Sequence, residues 1–246
     1  EIIVIDDGSS DNTYSLAKEY ARTRKNIQVL KNVKNLGKSN TVNRILSLAK
    51  GEFFSVVDAD STVDKDLLKK ILLYFTSKNV AAVTTQIKVS NARTVVQKMQ
   101  RVEMLFASYV RRMMAIIGTL HYTNGVMSVF RTKIIKKVGG LSDAVMTEDL
   151  EIAMRLRSLG YDVKICEDSF GHTKVPATFK GLWIQRIRWF RGYIQTIFLH
   201  KKMLGNKGYG LLGLFQLPLE ILMLFVMLFS TMFMAYHFIG SLNDYI

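Results

Sequence analysis

The sequence is poor in cysteine and histidine. Its single cysteine, Cys166, can form no disulfide within the chain, which agrees with a reducing compartment. The four histidines are scattered along the chain; they are His121, His172, His200 and His237. None has a cysteine partner at a recognisable zinc spacing, so we expect each of them to be structural.

Basic residues are absent from the C-terminal part of the chain. All 34 Lys and Arg residues lie before Tyr209, and of the 20 acidic residues only Glu220 and Asp244 lie after it. Residues 221–242 contain no Asp, Glu, Lys or Arg, and at about 1.5 Å per residue they could cross a hydrocarbon core of roughly 30 Å. The alternative is a buried hairpin helix of a larger soluble protein, although the segment has no polar stripe. Because basic residues crowd only its N-terminal flank, the positive-inside tendency predicts that the preceding domain faces the cytoplasm.

The net charge of +14 is also compatible with nucleic-acid binding. The basic residues are, however, spread over several predicted elements, without a zinc-finger spacing, an RNP-type strand or a dense basic tail. Attraction to anionic lipid and to a diphosphate explains the charge more economically. We therefore expect no nucleic-acid partner.

Short β-rich runs alternate with helical runs from the N-terminus onward. The predicted strands are residues 1–5, 27–30, 53–57, 80–89 and 126–130, and the predicted helices are residues 10–24, 38–49, 64–76, 95–117 and 147–160. This βαβα order predicts an α/β fold with a mostly parallel sheet and helices on both faces. Ligands of such sheets bind beyond the carboxyl ends of the strands. The helix 95–117 mixes basic and apolar faces, which suits either a membrane surface or core packing beneath a solvated face.

Acidic pairs follow two of the predicted strands directly. Asp6 and Asp7 come after the first strand, and Asp58 and Asp60 come after the third. Two carboxylates one residue apart can offer oxygen ligands to Mg²⁺ or Mn²⁺, which such sites share with substrate phosphates. The alternative is that these acids only turn the chain and cap the next helix.

Two later clusters complete the candidate chemistry. Glu148 and Asp149 lie in the first turn of a predicted helix, where the macrodipole alone is a sufficient reason for acids. Gln185, Arg188 and Trp189 are spaced three and four residues apart, so they share one face of a helix. A guanidinium and an indole on one face could bind a diphosphate and stack on a sugar, whereas an amphipathic helix at a membrane surface would carry the same residues.

Taken together, these clusters resemble a known family. DDGSSDNT, NLGKSN, VVDAD, TNG, TEDLEIAMRLRSLGY and VPATFKGLWIQRIRW occur in this order over roughly residues 1–200. The series is similar to the processive family 2 glycosyltransferases, the group that contains the cellulose, hyaluronan and poly-N-acetylglucosamine synthases, and its last stretch is most similar to the poly-N-acetylglucosamine branch. The resemblance implies a GT-A fold with a Rossmann-like sheet, amphipathic interface helices and a C-terminal transmembrane helix. The implied domains are a nucleotide-sugar-binding catalytic domain over 1–178, an interface-helix region over 179–208 and a transmembrane segment over 209–246.

The resemblance also implies roles for individual residues. Asp149 would be the general base, with Glu148 beside it in the catalytic pair. Asp60 would be the direct metal ligand for Mg²⁺ or Mn²⁺, and Asp58 would lie beside both the metal and the nucleotide. The implied substrate-binding residues are Asp6 and Asp7 at the uridine, Lys38 near the nucleotide, Asp58, Asn124, Gly125, Gln185, Arg188 near the diphosphate, and Trp189 beside the acceptor.

The implied activity is that of a membrane-bound inverting enzyme that uses a UDP-sugar and a divalent metal ion to build a β-linked polysaccharide. Two alternatives stay open: a non-processive enzyme that glycosylates a lipid-linked acceptor, and an inactive UDP-sugar-binding membrane scaffold. The expected partners are the UDP-sugar donor, a glycan or lipid-linked acceptor and the lipid bilayer. Because the family normally has an earlier strand and several spans, we expect the sequence to be part of a multi-pass protein of the cell membrane with a cytoplasmic catalytic domain.

Overall fold

The structure is a computed structural model that describes residues 1–243, so residues 244–246 of the predicted segment 209–246 lie outside the described part. The strands are β1 (Ile2–Asp6), β2 (Ile27–Lys31), β3 (Phe53–Val56), β4 (Thr62–Val63), β5 (Val80–Val89), β6 (Ser128–Arg131) and β7 (Asp162–Thr173). The α-helices are α1 (Thr13–Ala21), α2 (Lys38–Leu48), α3 (Leu67–Leu72), α4 (Val95–Ile116), α5 (Thr132–Lys137), α6 (Glu148–Ser158), α7 (Phe179–Leu199) and α8 (Leu217–Asn243). Most predicted elements therefore exist, within a few residues of their expected bounds.

The strands form a mixed sheet, which corrects the expectation of a mostly parallel one. Five strands lie in the order β3-β6-β5-β7-β4, and β1 and β2 form a separate parallel pair. Strand β6 runs antiparallel to both of its neighbours, and β4 runs antiparallel to β7. The reason lies in residues 117–127, which return the chain from α4 to the carboxyl end of β3, so that β6 starts beside Asp58 and runs back. The alternation of element types predicted helices and strands correctly, but it could not predict this reversal.

Two of the hydrophobic clusters in the core lie against opposite faces of the sheet. Successive residues of a strand point to opposite faces, and the neighbours Val129 and Phe130 of β6 accordingly belong to different clusters. One cluster packs the sheet against α2 and α6, and the other packs it against α3. Helices therefore cover both faces of the sheet, as the sequence predicts. Strand β5 is buried along its whole length except at Lys88 because it pairs with β6 on one side and β7 on the other.

Strand β7 is the largest element that the sequence pattern does not predict. It is 12 residues long and contains acids that a buried strand rarely carries. Their partners lie far away in the sequence: Glu167 pairs with Arg112 of α4 at 2.6 Å, and Asp168 accepts a hydrogen bond from the Tyr74 hydroxyl at 2.8 Å. These acids thus occupy a strand because distant residues satisfy them.

Most of the large apolar side chains that are exposed lie on three helices. Helix α4 exposes Phe106 and Ile116, and α7 exposes Phe179 and Trp183. Residues 212–238, most of which belong to α8, form one helix that is long and apolar enough to cross a membrane. The apolar surface is thus concentrated on the elements that the sequence assigns to the interface and to the membrane.

Candidate active site

A cavity of about 890 Å³ opens where β3 ends and α6 begins, with α7 along its side. Ten of the predicted site residues line it: Lys38, Asp58, Asp60, Asn124, Gly125, Glu148, Asp149, Gln185, Arg188 and Trp189. They come from parts of the chain up to 151 residues apart, so the fold brings the clusters after β3, at the start of α6 and on α7 to one space. Asp6 and Asp7 are not among the residues that line this cavity.

Lys38 connects two of these clusters. Its Nζ lies 2.8 Å from Asp58 Oδ1 and 2.8 Å from Glu148 Oε1. Burial opposes the charge on Lys38, but Glu148 and Asp58 outweigh that effect and raise the pKa of the ammonium group. Lys38 is the first residue of α2, and its ammonium group thus links this helix to the end of β3 and to the start of α6.

The candidate metal ligands are Asp58 and Asp60. The Asp58 carboxylate is bound by Lys38, whereas Asp60 is exposed and accepts a hydrogen bond from the Ser61 hydroxyl at 3.3 Å. Within residues 1–243, no three His, Cys, Asp or Glu side chains form a cluster that could enclose a metal ion. This donor set fits a Mg²⁺ or Mn²⁺ ion that keeps waters and shares substrate phosphates, since such ions need only one or two protein carboxylates.

Asp149 lies at the N-terminus of α6 and faces Gly125 across the cavity. A Cβ atom placed on Gly125 would lie 3.8 Å from Asp149 Oδ2 and 3.0 Å from Asp58 Oδ2, so glycine leaves the space between the two acids open. Burial raises the pKa of Asp149, and the neighbouring Glu148 carboxylate raises it further, whereas Lys38 opposes both effects. The carboxylate is therefore a stronger base than an ordinary aspartate, which suits a group that accepts a proton.

Asn124 holds the segment before β6 in place. Its amide nitrogen donates to Thr84 Oγ1 at 2.7 Å and to the Thr85 carbonyl at 2.7 Å, and its amide oxygen accepts from the Met127 N–H at 3.0 Å. These bonds fix Gly125 against the acids of the cavity. The role of Asn124 in substrate binding stays a prediction.

The carboxylates of Asp6 and Asp7 are engaged at the end of β1. Asp6 Oδ1 accepts the Ser9 N–H, and Asp7 accepts hydrogen bonds from Asn32, Thr41 and two backbone N–H groups of the loop before α2. Burial opposes the ionisation of Asp7, but these hydrogen bonds outweigh it and lower the pKa. Asp7 thus holds the loop that leads to Lys38, and the predicted contact of both acids with uridine stays a prediction.

Helix α7 carries the basic and aromatic residues of the site. Trp189 packs against Met104 of α4 and Val175, while the Arg186 guanidinium lies 4.6 Å from its ring centroid. These contacts hold the Trp189 ring in a fixed position at the cavity wall. The side-chain oxygen of Gln185, one turn earlier on the same helix, is buried and has no hydrogen-bond partner in the described structure.

The chain matches a family model that is described as glycosyl transferase family group 2. The match covers residues 53–243. The chain belongs to this family. This result agrees with the clusters after β3, on α6 and on α7, all of which lie inside the matched range.

The chain is also similar to curated proteins with a stated activity. A poly-beta-1,6-N-acetyl-D-glucosamine synthase of Staphylococcus epidermidis is 31% identical over 197 residues, which are 78% of this chain and 47% of that protein. The synthase with the same name from Staphylococcus aureus strain COL is 31% identical with the same coverage. This family 2 chain thus spans about half the length of the curated relatives it matches.

Solved structures confirm the predicted GT-A fold. The mannosyltransferase PcManGT from Pyrobaculum calidifontis, in complex with GDP-Man and Mn²⁺, superposes with a TM-score of 0.66 at 20% identity, over 82% of this chain and 55% of that one. Residues 1–349 of S. aureus TarS, in complex with UDP-GlcNAc, give a TM-score of 0.51 at 21% identity, over 72% of this chain and 50% of that one. At these identities the likeness concerns the fold alone.

Several residues of the cavity wall carry no signal in the sequence. Arg111 of α4, Tyr122 and Tyr193 line the cavity, yet no local pattern marks any of the three as a site residue. The hydroxyls of Tyr122 and Tyr193 both donate to Glu220 Oε2 at 3.1 Å, so they connect the cavity to α8. Burial raises the pKa of Tyr122, and the nearby Glu220 carboxylate adds to the rise, so its hydroxyl stays a donor.

Proposed function

We propose that the protein is a membrane-bound inverting glycosyltransferase that uses a UDP-sugar to build a β-linked polysaccharide of the poly-N-acetylglucosamine type. The observation that carries this proposal is the single cavity that contains Asp60, Asp149, Arg188 and Trp189. The substrate class is supported by the names of the curated relatives, poly-beta-1,6-N-acetyl-D-glucosamine synthases. The proposed domains are the catalytic domain 1–178, the interface region 179–208 and the membrane segment 209–246.

The donor would bind at the end of β3 and along α7. Asp58 and Lys38 would hold the nucleotide side, and the Arg188 guanidinium would bind the diphosphate through two parallel N–H donors. Asp60 would hold Mg²⁺ or Mn²⁺, with Asp58 beside it. A divalent ion bound there supplies positive charge next to the diphosphate, where negative charge develops as UDP departs.

Asp149 would remove the proton from the acceptor hydroxyl that attacks C1 of the donor sugar. Attack from the face opposite the departing diphosphate inverts the anomeric centre, so an α-linked donor gives a β-linked product. The C1–O bond to UDP breaks as the new C1–O bond forms, and the hydroxyl proton passes to the Asp149 carboxylate. Because burial and Glu148 raise the pKa of Asp149, the rate should rise as the pH passes upward through that value and then level off.

The membrane assignment rests on the apolar surfaces. Residues 212–238 form a helix that could cross a bilayer, and α4 and α7 expose apolar side chains between their basic residues. Basic residues lie only on the N-terminal side of the helix, which supports a cytoplasmic position for the catalytic domain in a multi-pass protein of the cell membrane.

The test is a transfer assay on the protein in membranes, with labelled UDP-sugars, Mg²⁺ or Mn²⁺, and sizing of the product. The parent should form long β-linked chains, and Asp149→Asn should lose about 10²- to 10⁴-fold in turnover while it still binds UDP. Asp60→Asn should weaken the dependence of UDP binding on Mn²⁺, which titration measures without turnover. Asp66→Asn, at an exposed acid of α3's N-terminus, serves as the control.

Three outcomes would each contradict a different part of the proposal: the product, the general base or the catalytic activity itself. Addition of one sugar to a lipid would replace the polysaccharide product with a lipid-linked one. Parental turnover by Asp149→Asn would remove the proposed base. UDP binding without any transfer by the parent would favour the inactive scaffold.

A further inference from the structure

Arg111 of α4 is a cation in the cavity wall, and the described residues give it no hydrogen-bond or ion-pair partner. Its Nη1 atom is buried and makes no hydrogen bond within residues 1–243, and none of the carboxylates described there lies within 4.0 Å of its nitrogens. Lys38, another cation of the cavity wall, is in contrast held by two carboxylates at 2.8 Å. Arg111 therefore differs from Lys38 in having no carboxylate partner within the described chain.

An unsatisfied buried guanidinium points to a ligand. Burial lowers the pKa of Arg111, and the nearby Tyr122 and Asp149 oppose the shift, but a guanidinium stays charged and donor-only in proteins. A buried N–H without an acceptor is costly, and native structures keep few such groups outside functional sites. Since Arg111 lines the cavity, a small shift of its side chain would let an oxygen atom of a bound molecule accept a hydrogen bond from the buried Nη1.

The position of Arg111 indicates which molecule this is. Arg111 lies seven residues after Met104, so the two share one face of α4, and both line the cavity. Met104 packs against Trp189, and Asp149 is the carboxylate that acts on Arg111 electrostatically. Arg111 therefore lies on the side of the cavity shared by the candidate base and the candidate stacking ring, whereas Lys38 bridges the end of β3 and the start of α6.

The charge of the surroundings indicates a neutral ligand. A phosphate bound to Arg111 would lie near the Asp149 carboxylate and be repelled by it. Hydroxyl and acetamido oxygens of a sugar accept hydrogen bonds from a guanidinium and carry no charge.

We propose that Arg111 binds the acceptor glycan, with its Nη1 donating to a hydroxyl or acetamido oxygen of the terminal sugar. This inference rests on the proposed function of the cavity, because it assumes that a glycan enters it. The contact would hold the acceptor hydroxyl in reach of Asp149 while the sugar ring lies against Trp189.

The test compares Arg111→Met, which keeps the length of the side chain, with Arg101→Met on an exposed turn of the same helix. The protein in membranes receives saturating UDP-GlcNAc and a β-1,6-linked N-acetylglucosamine trisaccharide over a range of concentrations. Arg111→Met should raise the KM for the trisaccharide about 10- to 100-fold, as expected for loss of a hydrogen bond from a charged donor. The affinity for UDP and the KM of Arg101→Met should stay at parental values. Arg111→Lys should give an intermediate KM because it keeps the charge but not the planar donors.

Two results would overturn the inference and leave the proposed function standing. An unchanged KM for the trisaccharide in Arg111→Met and Arg111→Lys would exclude the contact. A shifted pH profile with an unchanged KM would mean that Arg111 acts only on the ionisation of Asp149. If the parent transfers no sugar, direct titration of the trisaccharide in the presence of UDP decides: binding by the parent that Arg111→Met loses supports the contact, and equal binding overturns it.

Discussion

Replacing Glu151 with glutamine should destabilise the protein by about 3 kcal/mol. Glu151 lies on α6 with its side chain only 2% exposed, and it accepts hydrogen bonds from Arg155 Nε at 3.1 Å, from Arg155 Nη2 at 2.5 Å and from His200 Nε2 at 3.1 Å. It therefore fastens α6, which carries Asp149, to the C-terminal end of α7. Its loss would leave a mostly buried guanidinium without a counter-charge.

The magnitude follows from this burial. Breaking a buried ion pair by removal of one partner typically costs about 3–5 kcal/mol. We take the lower end because glutamine keeps one oxygen acceptor and because Arg155 is 20% exposed. For a chain of this size each kcal/mol corresponds to roughly 2–4 °C in Tm, so Glu151→Gln should lower the Tm by roughly 6–12 °C.

The assay is thermal unfolding in detergent micelles with Asp66→Asn as the matched control. Asp66 and Lys70 of α3 form the same type of i,i+4 pair, but their side chains are 52% and 37% exposed, so this variant should melt with the parent. Burial opposes ionisation of Glu151, but His200 and Arg155 outweigh it and lower the pKa below the ordinary 4.5. The contribution of a carboxylate with a lowered pKa is full above its unfolded value and is lost as the pH falls through the folded value. The difference in Tm between the parent and Glu151→Gln should thus be constant near pH 7 and become smaller below about pH 4.5. Equal Tm losses in the two variants at pH 7 would refute the argument from burial.

Three further substitutions test the junctions around the cavity. Gly192→Ala places a Cβ within 2.8 Å of Thr147 Cβ, so it should push α7 away from α6. The expected loss in the free energy of unfolding is about 1–3 kcal/mol, measured by thermal unfolding. An unchanged Tm would show that the two helices can separate freely. Gly125→Ala brings a Cβ within 3.0 Å of Asp58 Oδ2, and it should weaken UDP binding in a titration while the Tm changes little. Glu220→Gln removes the charge that holds two tyrosine hydroxyls, so it should lower the free energy of unfolding by about 1–3 kcal/mol and the Tm with it. A parental melting curve would contradict this role.

Local sequence patterns predict the element types of this fold well. Strand β5 occurs with the predicted bounds, 80–89, because a strand that is buried except at Lys88 gives a mostly apolar and β-branched run, broken only by Gln86 and Lys88. The predicted helix 64–76 is reduced to α3, and β4 precedes it, because Asp64 accepts hydrogen bonds from the Phe170 N–H and from His172 of β7 instead of opening the helix. Such long-range bonds are invisible in a local pattern.

The candidate site likewise has residues that the sequence predicts and residues that only the folded structure reveals. The clusters of acids after β3 and at the start of α6 lie on elements that the sequence predicts, and the family resemblance gives the reason to expect them in one cavity. Arg111 could not be found in this way, because an arginine among apolar residues of a long helix has the pattern of a membrane-surface helix. Only the three-dimensional packing shows that its Nη1 is buried at the cavity wall.

Glu220 explains why the apolar helix and the cavity are parts of one structure. It is the acid at the start of the apolar run, where a charge would be costly without partners, and four side chains approach its carboxylate: Tyr122, Tyr193, Gln216 and His121. Two of them, Tyr122 and Tyr193, also line the cavity, one from the segment before Asn124 and one from the helix of Trp189. A displacement of α8 at Glu220 must therefore move both tyrosines or break their hydrogen bonds. Since these tyrosines lie beside the proposed acceptor contacts, the position of α8 in the proposed membrane bears on acceptor binding more directly than on the donor end at Lys38.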